Sequence, residues 1–165
     1  RCLDVGRDFS ERESVDLDLC ELLHEVAAEH GHAGVEVRGH RGPECRMRVR
    51  PLALKRILSN LVDNATRYGA GRPVDIEYAV AAGQVEICVL DRGPGIPESE
   101  REAVFRPFHR LEASRSSRTG GSGLGLAIVR QIAGSNGWTV ELRPRPGGGT
   151  AACVRLPLEE GVQAP

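Results

Sequence analysis

The chain has 165 residues, 40% of them hydrophobic and 27% charged, which is typical of a single globular domain with a substantial core. Its formal net charge of −1 at pH 7 excludes a broad basic surface for nucleic acid or anionic lipid. No apolar run approaches the ~18 residues of a membrane-spanning helix, so we expect neither a transmembrane segment nor a secretory signal. Because the chain begins without a methionine, we expect it to be a fragment of a longer protein.

Five cysteines are scattered along the chain and never form a C-x-x-C pair. They are Cys2, Cys20, Cys45, Cys88 and Cys153. Because Cys20, Cys88 and Cys153 lie among apolar residues, the sequence predicts buried thiols in a reducing compartment. The irregular spacing argues against a zinc site.

The first elements in chain order are a linker and an amphipathic helix. Residues 1–14 are mostly polar and charged, so we interpret them as a linker from an upstream element. Apolar residues at helical spacing predict a helix over residues 15–30, with Asp16 or Asp18 as its N-cap. Its apolar positions are Leu19, Leu22, Leu23, Val26 and Ala27. Glycines then interrupt the pattern, and short alternating runs predict strands at residues 35–38 and 46–49.

The second helix is predicted to begin at Pro51, because proline is favoured in the first helical turn. Its buried stripe is predicted to consist of Leu54, Ile57, Leu58, Leu61 and Ala65. Gly69 is expected to end it. Strands at residues 74–80 and 85–90 follow, joined by a turn at Ala82 and Gly83.

A long polar and glycine-rich stretch separates these strands from the last elements. It runs over residues 91–123, which is too long for an ordinary connection, so we expect it to be functional. A third helix is predicted over residues 124–136, and strands at 139–142 and 151–156 flank a turn at 144–149. Single helices alternate with paired strands. This order indicates an α+β fold, a two-layer sandwich with about three helices on one face of a mixed β-sheet.

The second helix carries the first chemical motif, N-L-V-D-N-A-T-R-Y at residues 60–68. Asn60, Asn64 and Arg67 recur at i, i+4 and i+7 and therefore share one face of the helix. Amide oxygens suit Mg²⁺, which usually keeps several waters and shares phosphate oxygens. The motif therefore suits a cation and its phosphate, and the alternative is a solvated polar face with a chance pair of asparagines.

The second motif is D-R-G-P-G-I at residues 91–96, directly after an apolar strand. A carboxylate at a strand end can accept a hydrogen bond from an amine, such as the exocyclic amino group of adenine. Gly93 and Gly95 allow the backbone to come close to a flat base. The alternative is a plain Asp-x-Gly turn after a strand.

The third motif is G-S-G-L-G-L-A at residues 121–127, where glycines precede or open the third helix. Unpaired backbone N–H groups and the helix dipole bind phosphate at such a position. The spacing matches neither the P-loop nor the dinucleotide-binding fingerprint, and Lys55 is the chain's only lysine. The alternative is a flexible hinge.

Taken in this order, the motifs resemble those of the ATP-binding catalytic domain of bacterial sensor histidine kinases, whose superfamily includes gyrase B and the heat-shock chaperone ATPases. Residues 60–68 are similar to its asparagine box, residues 91–95 to its D-x-G-x-G box and residues 121–126 to its G-x-G-L-G-L box. The resemblance covers residues 15–157 and is of the osmosensor (EnvZ-like) type. It implies the Bergerat fold of that family.

For the phosphates, the resemblance implies Mg²⁺ bound by Asn64, with Asn60 and Arg67 near the phosphate oxygens. The residues implied to wrap the phosphates are Gly121, Ser122, Gly123, Leu124, Gly125 and Leu126. It also implies a long ATP lid over residues 97–122. Arg110, Arg115 or Arg118 of this lid is expected to reach the γ-phosphate, and we count Arg110 among the catalytic residues.

For the base of ATP, the resemblance implies that Tyr68 stacks on adenine and that Asp91 accepts from its amino group. The other residues implied to lie around the base are Gly93, Gly95, Ile96 and Thr150. Residues 105–108 resemble the family's phenylalanine box, and residues 147–150 its last glycine turn.

One departure within the superfamily bears on the reaction. Members that hydrolyse ATP carry a glutamate four residues before the magnesium asparagine, as the general base for water. Asn60 stands there in this chain and cannot take a proton. Asp63 is the nearest carboxylate, but it lies about 60° round the helix from Asn60, and we expect it to pair with Arg67. The sequence therefore predicts a phosphoryl acceptor other than water.

The acceptor histidine is expected to lie on another domain. His24-Glu25 resembles the start of a phosphoacceptor motif, but its continuation does not, so we interpret His24 as a surface residue of the first helix. We therefore expect residues 15–158 to be the catalytic domain, residues 1–14 its linker from a dimerisation domain, and residues 159–165 a tail.

The resemblance implies partners as well as a reaction. The domain is expected to donate the γ-phosphoryl group to the histidine of the dimerisation domain, for relay to a response-regulator aspartate. The fragment is expected to be a cytoplasmic monomer, and its parent a homodimeric inner-membrane sensor. The alternatives are a self-sufficient ATPase of the gyrase or chaperone type, or a nucleotide-binding regulatory module.

Overall fold

The computed structural model of the chain describes residues 13–30, 34–38, 46–109 and 125–158. The helices in these ranges are α1 (Leu19–Glu29), α2 (Pro51–Tyr68) and α3 (Gly125–Ser135). The strands are β1 (Val15–Asp18), β2 (Val35–Val37), β3 (Arg46–Val49), β4 (Val74–Ala81), β5 (Gln84–Leu90), β6 (Thr139–Pro144) and β7 (Thr150–Pro157). Short 3₁₀ turns cover Glu98–Glu100 and Ala103–Phe105. None of the helices in the described ranges has the length and apolar character needed to cross a membrane.

Five strands form one mixed sheet in the order β2-β4-β5-β7-β6. The pairing of β2 with β4 is parallel, and the other pairings are antiparallel. The turn between β4 and β5 falls at Ala82 and Gly83, both with positive φ, as the sequence predicts. The mixed sheet and its helices confirm the predicted α+β sandwich.

The core lies between the three helices and one face of this sheet. On β5, Val85, Ile87 and Val89 alternate inward and are buried, and they share one cluster with the apolar stripes of the helices. The members of that cluster on α2 include Leu54, Ile57, Leu58, Leu61 and Ala65, the stripe predicted from spacing. The apolar side chains that recur every two residues on the strand and every 3.6 residues on the helix therefore pack into one core.

Residues 15–18 correct the prediction of one continuous helix from residue 15. They form strand β1, which pairs antiparallel with β3, Val15 opposite Val49. The helix begins only at Leu19, where the Asp18 carboxylate caps it by accepting from the Cys20 N–H at 2.9 Å. The strand partner lies some thirty residues further along the chain, so helical spacing alone did not reveal it.

The cysteines correct a second prediction. Cys88 and Cys153 are not free thiols but form a disulfide between β5 and β7, with their Cα atoms 4.0 Å apart. Sequence spacing gives no sign of this pair, because 65 residues separate the two and only the strand register places them opposite each other. The Cys20 sulfur is half-buried and lies 2.7 Å from the Tyr78 hydroxyl oxygen. Cys2 and Cys45 lie outside the described residues.

Candidate functional site

A pocket forms where α2, the end of β5 and the beginnings of α3 and β7 come together. It has a volume of about 290 Å³, including space open to solvent. Its lining residues are Leu61, Asn64, Ala65, Tyr68, Val89, Asp91, Ile96, Leu126, Leu142, Thr150 and Ala152. The pocket therefore brings together residues from all three motifs, which are far apart in the sequence.

Asp91 is one of the buried polar residues that line this pocket. Its backbone N–H donates to the Thr150 carbonyl at 2.9 Å, which continues the β5–β7 pairing. Its carboxylate Oδ1 accepts from the N–H groups of Gly93 at 2.9 Å and Thr150 at 3.1 Å. Within the described ranges no hydrogen bond reaches Oδ2, so this oxygen can accept from a ligand amine.

The electrostatics of Asp91 result from opposed effects. Burial disfavours the charged carboxylate and raises the pKa of Asp91 above its ordinary value. The hydrogen bonds from Gly93 and Thr150, and the charge of Arg145, oppose this rise without cancelling it. Asp91 is thus a fixed, poorly solvated acceptor, which is the kind of group that can select a ligand by accepting a hydrogen bond from it.

Two glycines keep the backbone close around Asp91. A Cβ on Gly93 would lie 2.0 Å from the carbonyl oxygen of Tyr68, at the end of α2. A Cβ on Gly149 would lie 2.1 Å from the carbonyl oxygen of Asp91, and Gly149 also has a φ of +105°. Both positions therefore require glycine, because a side chain would push apart the elements that form the pocket wall.

The polar face of α2 carries Asn64, which lines the pocket, and Arg67 beside it. The Arg67 Nη2 atom donates to Asn64 Oδ1 at 2.5 Å, and Asn64 is only 8% exposed. A Cβ placed on Gly125, at the start of α3, would lie 3.6 Å from Asn64 Oδ1. The asparagine of the first motif therefore lies against the helix that the third motif opens.

This arrangement fits a magnesium ion that arrives together with phosphates. The second lone pair of Asn64 Oδ1 can bind a hard cation, and Arg67 beside it can take a phosphate oxygen. One neutral amide oxygen is too few ligands for a magnesium site made by protein alone, but Mg²⁺ shares waters and phosphate oxygens.

Not every predicted site residue lies at the pocket wall. Asn60 is half-buried one turn before Asn64 on α2 and is not among the residues that line the pocket. Gly95 does not line the pocket either, and a Cβ placed on it would lie 3.5 Å from the Gly149 carbonyl oxygen. The remaining predicted residues that the structure does not describe are Arg110, Arg115, Arg118, Gly121, Ser122, Gly123 and Leu124.

The structure corrects the expected partner of Asp63. Its carboxylate lies 3.3 Å from Nε2 of His30 at the end of α1, and Arg67 turns to Asn64 instead. Asp63 is therefore on the outer side of α2 and is 55% exposed. His24 is an exposed residue of α1, with Nδ1 2.8 Å from the Cys20 carbonyl oxygen, as the sequence predicts.

The two phenylalanines of residues 105–108 lie in different environments. Phe105 is buried, and the guanidinium carbon of Arg130 on α3 lies 4.0 Å from its ring centroid. Arg130 also pairs with Glu102 at 2.6 Å, which ties the segment after β5 to α3. Phe108 is 70% exposed with a φ of +66°. Sequence reasoning missed Arg130, because an arginine in an exposed helical position carries no signal of its own.

Comparison with known proteins gives the family. Residues 49–160 match the family described as histidine kinase-, DNA gyrase B- and HSP90-like ATPase. The chain is 40% identical over 152 residues to the sensor protein CutS of Streptomyces coelicolor, covering 90% of this chain and 36% of CutS. It superposes on the histidine kinase domain of the E. coli osmosensor EnvZ with a TM-score of 0.66 and 31% identity, covering 93% of this chain and 92% of that domain.

A further solved relative carries a bound nucleotide analogue. Full-length ShkA in complex with AMPPNP is 25% identical, with a TM-score of 0.73 over 88% of this chain and 31% of ShkA. The chain therefore belongs to the histidine kinase-, DNA gyrase B- and HSP90-like ATPase family, and the proteins named here place it on the histidine kinase side. It spans 36% of the length of CutS.

Proposed function

We propose that the chain is the Mg-ATP-binding catalytic domain of a sensor histidine kinase, with domain limits at residues 15–158. It would transfer the γ-phosphoryl group of ATP to a histidine on a separate dimerisation domain, for relay to a response-regulator aspartate. The observation that carries the proposal is the convergence of Asp91, Asn64 and the start of α3 on one pocket. The AMPPNP complex of the relative ShkA supports a nucleotide as the ligand.

The base would be recognised by the wall that contains Asp91. Asp91 Oδ2 would accept from the exocyclic amino group, since Oδ1 already accepts from two backbone N–H groups. Ile96 and Leu126 offer apolar contacts to a flat ring, and Tyr68 offers a stacking face. An adenine-type donor would therefore be preferred over a base that presents a carbonyl oxygen at that position.

The phosphates would lie toward Asn64, Arg67 and the first turn of α3. Arg67 would bind a phosphate oxygen, and Asn64 would give one oxygen to Mg²⁺. When bound, Mg²⁺ neutralises the charge that develops on the phosphates. The backbone N–H groups at Gly125 and Leu126 open the 11-residue helix α3, where the dipole favours anions.

The acceptor would be a histidine and not water. A hydrolytic base is needed near Asn64, but the position one turn earlier is Asn60, which cannot take a proton. Asp63 lies on the outer side of α2 beside His30. Transfer to a positioned imidazole needs alignment and charge neutralisation more than a base from this domain.

The direct test is phosphoryl transfer between separate domains. The chain, Mg-ATP and a separate histidine-bearing dimerisation domain are mixed, and acid-labile phosphate on the second domain is measured. Phosphohistidine should form only with the complete mixture. Rapid phosphate release by the chain alone would instead support a self-sufficient ATPase.

Asn64→Ala tests the phosphate end of the site. This variant should lose Mg²⁺-dependent ATP binding and transfer while keeping its unfolding transition, because Asn64 carries one of the metal's few protein ligands. Ser59→Ala is the matched control, since Ser59 lies on the same helix about 140° round from Asn64. Unchanged Mg-ATP affinity in Asn64→Ala, measured by calorimetry, contradicts the magnesium assignment.

A further inference from the structure

The disulfide lies on the face of the sheet that the helices leave uncovered. Cys88 on β5 and Cys153 on β7 are direct partners in the antiparallel register, with Cα atoms 4.0 Å apart. This distance is below the ~7 Å beyond which two cysteines need backbone movement to be joined, and it is shorter than the ~4.4–6.8 Å usual for disulfides. Cys153 is 2% exposed and Cys88 is half-buried, so an incoming reagent meets the Cys88 sulfur first.

A guanidinium lies beside the more accessible sulfur. Arg143 Nη2 on β6 is 3.6 Å from Cys88 Sγ, and the same atom donates to Glu86 at 2.7 Å. Arg155 also binds Glu86, at 3.0 Å, but has no contact with the sulfur among the described residues. A positive charge next to a cysteine stabilises its thiolate, the form that reacts in thiol–disulfide exchange.

The same neighbours argue against a metal site. Glu86, Cys88 and Cys153 could each offer a ligand atom within 4.8 Å of the others. However, the Glu86 carboxylate is already engaged by two guanidiniums. Burial raises the pKa of Glu86, but the hydrogen bonds and charges of Arg143 and Arg155 outweigh it and hold the pKa below its ordinary value. The positive charges of Arg143 and Arg155 favour a thiolate at this position and disfavour a bound cation.

The bridged strands continue into the nucleotide pocket. From Cys88, β5 passes through Val89 and ends beside Asp91, and from Thr150, β7 passes through Ala152 to Cys153. Val89 and Ala152, the neighbours of the two cysteines, line the pocket. The disulfide is therefore a covalent link three register positions away from the Asp91–Thr150 hydrogen bonds.

We propose that Cys88 and Cys153 form a reversible thiol–disulfide site, which reacts with low-molecular-weight thiols and sets the affinity of the adjoining nucleotide pocket. With the bridge closed, β5 and β7 hold Asp91 and Thr150 in fixed positions, so less ordering is needed when a nucleotide binds. With the bridge open, the strand ends gain freedom and the affinity falls. The second half of this inference rests on the proposed nucleotide-binding function.

The chemistry balances with two molecules of a monothiol. The first thiolate attacks Cys88 Sγ, the S–S bond breaks, and Cys153 leaves as a thiolate that takes up a proton. A second thiolate then attacks the small-molecule sulfur of the mixed disulfide and releases Cys88 as a thiolate beside Arg143. The protein disulfide gains two electrons, Cys153 takes up one of the two protons that the monothiols lose while the other goes to solvent, and the two monothiols become one small-molecule disulfide. Oxidation by a small-molecule disulfide reverses these steps.

The experiment uses the whole chain with Cys2, Cys20 and Cys45 replaced by serine, so that only the pair remains. After treatment with glutathione disulfide no thiol should titrate, and after reduced glutathione two should. The Kd for ADP, measured by calorimetry, should rise about fivefold or more on reduction, the lower end of typical coupling between sites. Adding Cys88→Ser and Cys153→Ser should give the weaker affinity in both conditions.

Arg143 provides a kinetic test with a matched control. Arg143→Gln should slow reduction of the disulfide by glutathione several-fold, whereas Arg155→Gln should leave the rate unchanged, because of these two arginines it is Arg143 that contacts the sulfur. Equal rates in the parent and both variants overturn the role of Arg143.

Two results overturn the wider proposal. Two thiols that titrate even after glutathione disulfide would show that the pair does not close. Equal ADP affinities in the two redox states would show that the pair does not set the affinity of the pocket. If ADP binds in neither state, the proposed function fails and the link to the nucleotide fails with it, while the thiol count still decides whether the pair exchanges.

Discussion

The two faces of the central sheet are made by the same strands but differ in chemistry. On β5, Val85, Ile87 and Val89 point into the helical layer and are fully buried. The residues between them, Glu86 and Cys88, point the other way and are half-buried. The inner face forms the core and one wall of the pocket that contains Asp91. The outer face holds a disulfide and a group of ion pairs that involves Glu86, Arg143 and Arg155.

The comparison shows how a pair of strands can carry two kinds of site. Alternation places side chains on opposite faces, but both faces share the backbone of β5 and β7. Strand β5 ends at Leu90, directly before Asp91, and β7 begins at Thr150. A change on the outer face can therefore reach the pocket through backbone position, without any side chain in the pocket being altered.

The largest expected difference between the faces is in stability. Ile87→Ala should lower the free energy of unfolding by about 2–5 kcal/mol, because it leaves a cavity in a fully buried region. Glu86→Ala, the neighbouring residue on the outer face, should cost less than about 1 kcal/mol, because its ion pairs are partly solvated. Urea denaturation of both variants measures the contrast, and equal losses would contradict the assignment of the faces.

Opening the disulfide is expected to have the next largest effect. It closes a loop with a sequence separation of 65 residues, and its removal should lower the free energy of unfolding by about 2–4 kcal/mol. Denaturant midpoints with and without a reductant give the value. The Cys88→Ser, Cys153→Ser double variant is the control, since its midpoint should not respond to the reductant. A parent protein that is equally insensitive would contradict a stabilising bridge.

Asp91→Asn is expected to act on binding and to leave the fold intact. The Asn Oδ1 atom can still accept from the N–H groups of Gly93 and Thr150, so the turn is kept. The second carboxylate oxygen becomes an NH₂ donor that faces the amino group of adenine. The cost of about 1–3 kcal/mol corresponds to a rise in Kd for ADP of roughly 5- to 150-fold by calorimetry. An unchanged Kd would place the base elsewhere.

The smallest expected effect is a pH dependence in which stability and ADP affinity change in opposite directions. Because the pKa of Asp91 is raised in the folded state, that state binds a proton more readily than the unfolded chain. The Asp91 contribution to stability is thus complete below its ordinary pKa of 3.8 and decreases as pH rises to the folded pKa. ADP affinity should change in the opposite direction, falling as pH falls through the folded pKa, because the protonated carboxyl loses acceptor strength. Asp91→Asn should remove the Asp91 contribution from both profiles.

Most of the element types could be predicted from the sequence because they depend on local periodicity. The α2 stripe, the Ala82-Gly83 turn and the strand after it all follow from patterns within a few residues. Strand β1 was mistaken for helix because its pairing partner, β3, is distant in the sequence. The predicted pairing of Asp63 with Arg67 is wrong for a similar reason, because its partner His30 lies at the end of another helix and is distant in the sequence.

The sequence by itself determined the order of the three motifs, the helical face shared by Asn64 and Arg67, and the position of Asp91 at a strand end. Spacing and residue chemistry are local properties, so they can be determined without a structure. Only the tertiary structure decided that Asp91 Oδ1 is held by Thr150, that Gly149 must lack a side chain, and that Cys88 meets Cys153. Each of these depends on the register of β5 against β7, which is set by packing between residues some sixty positions apart.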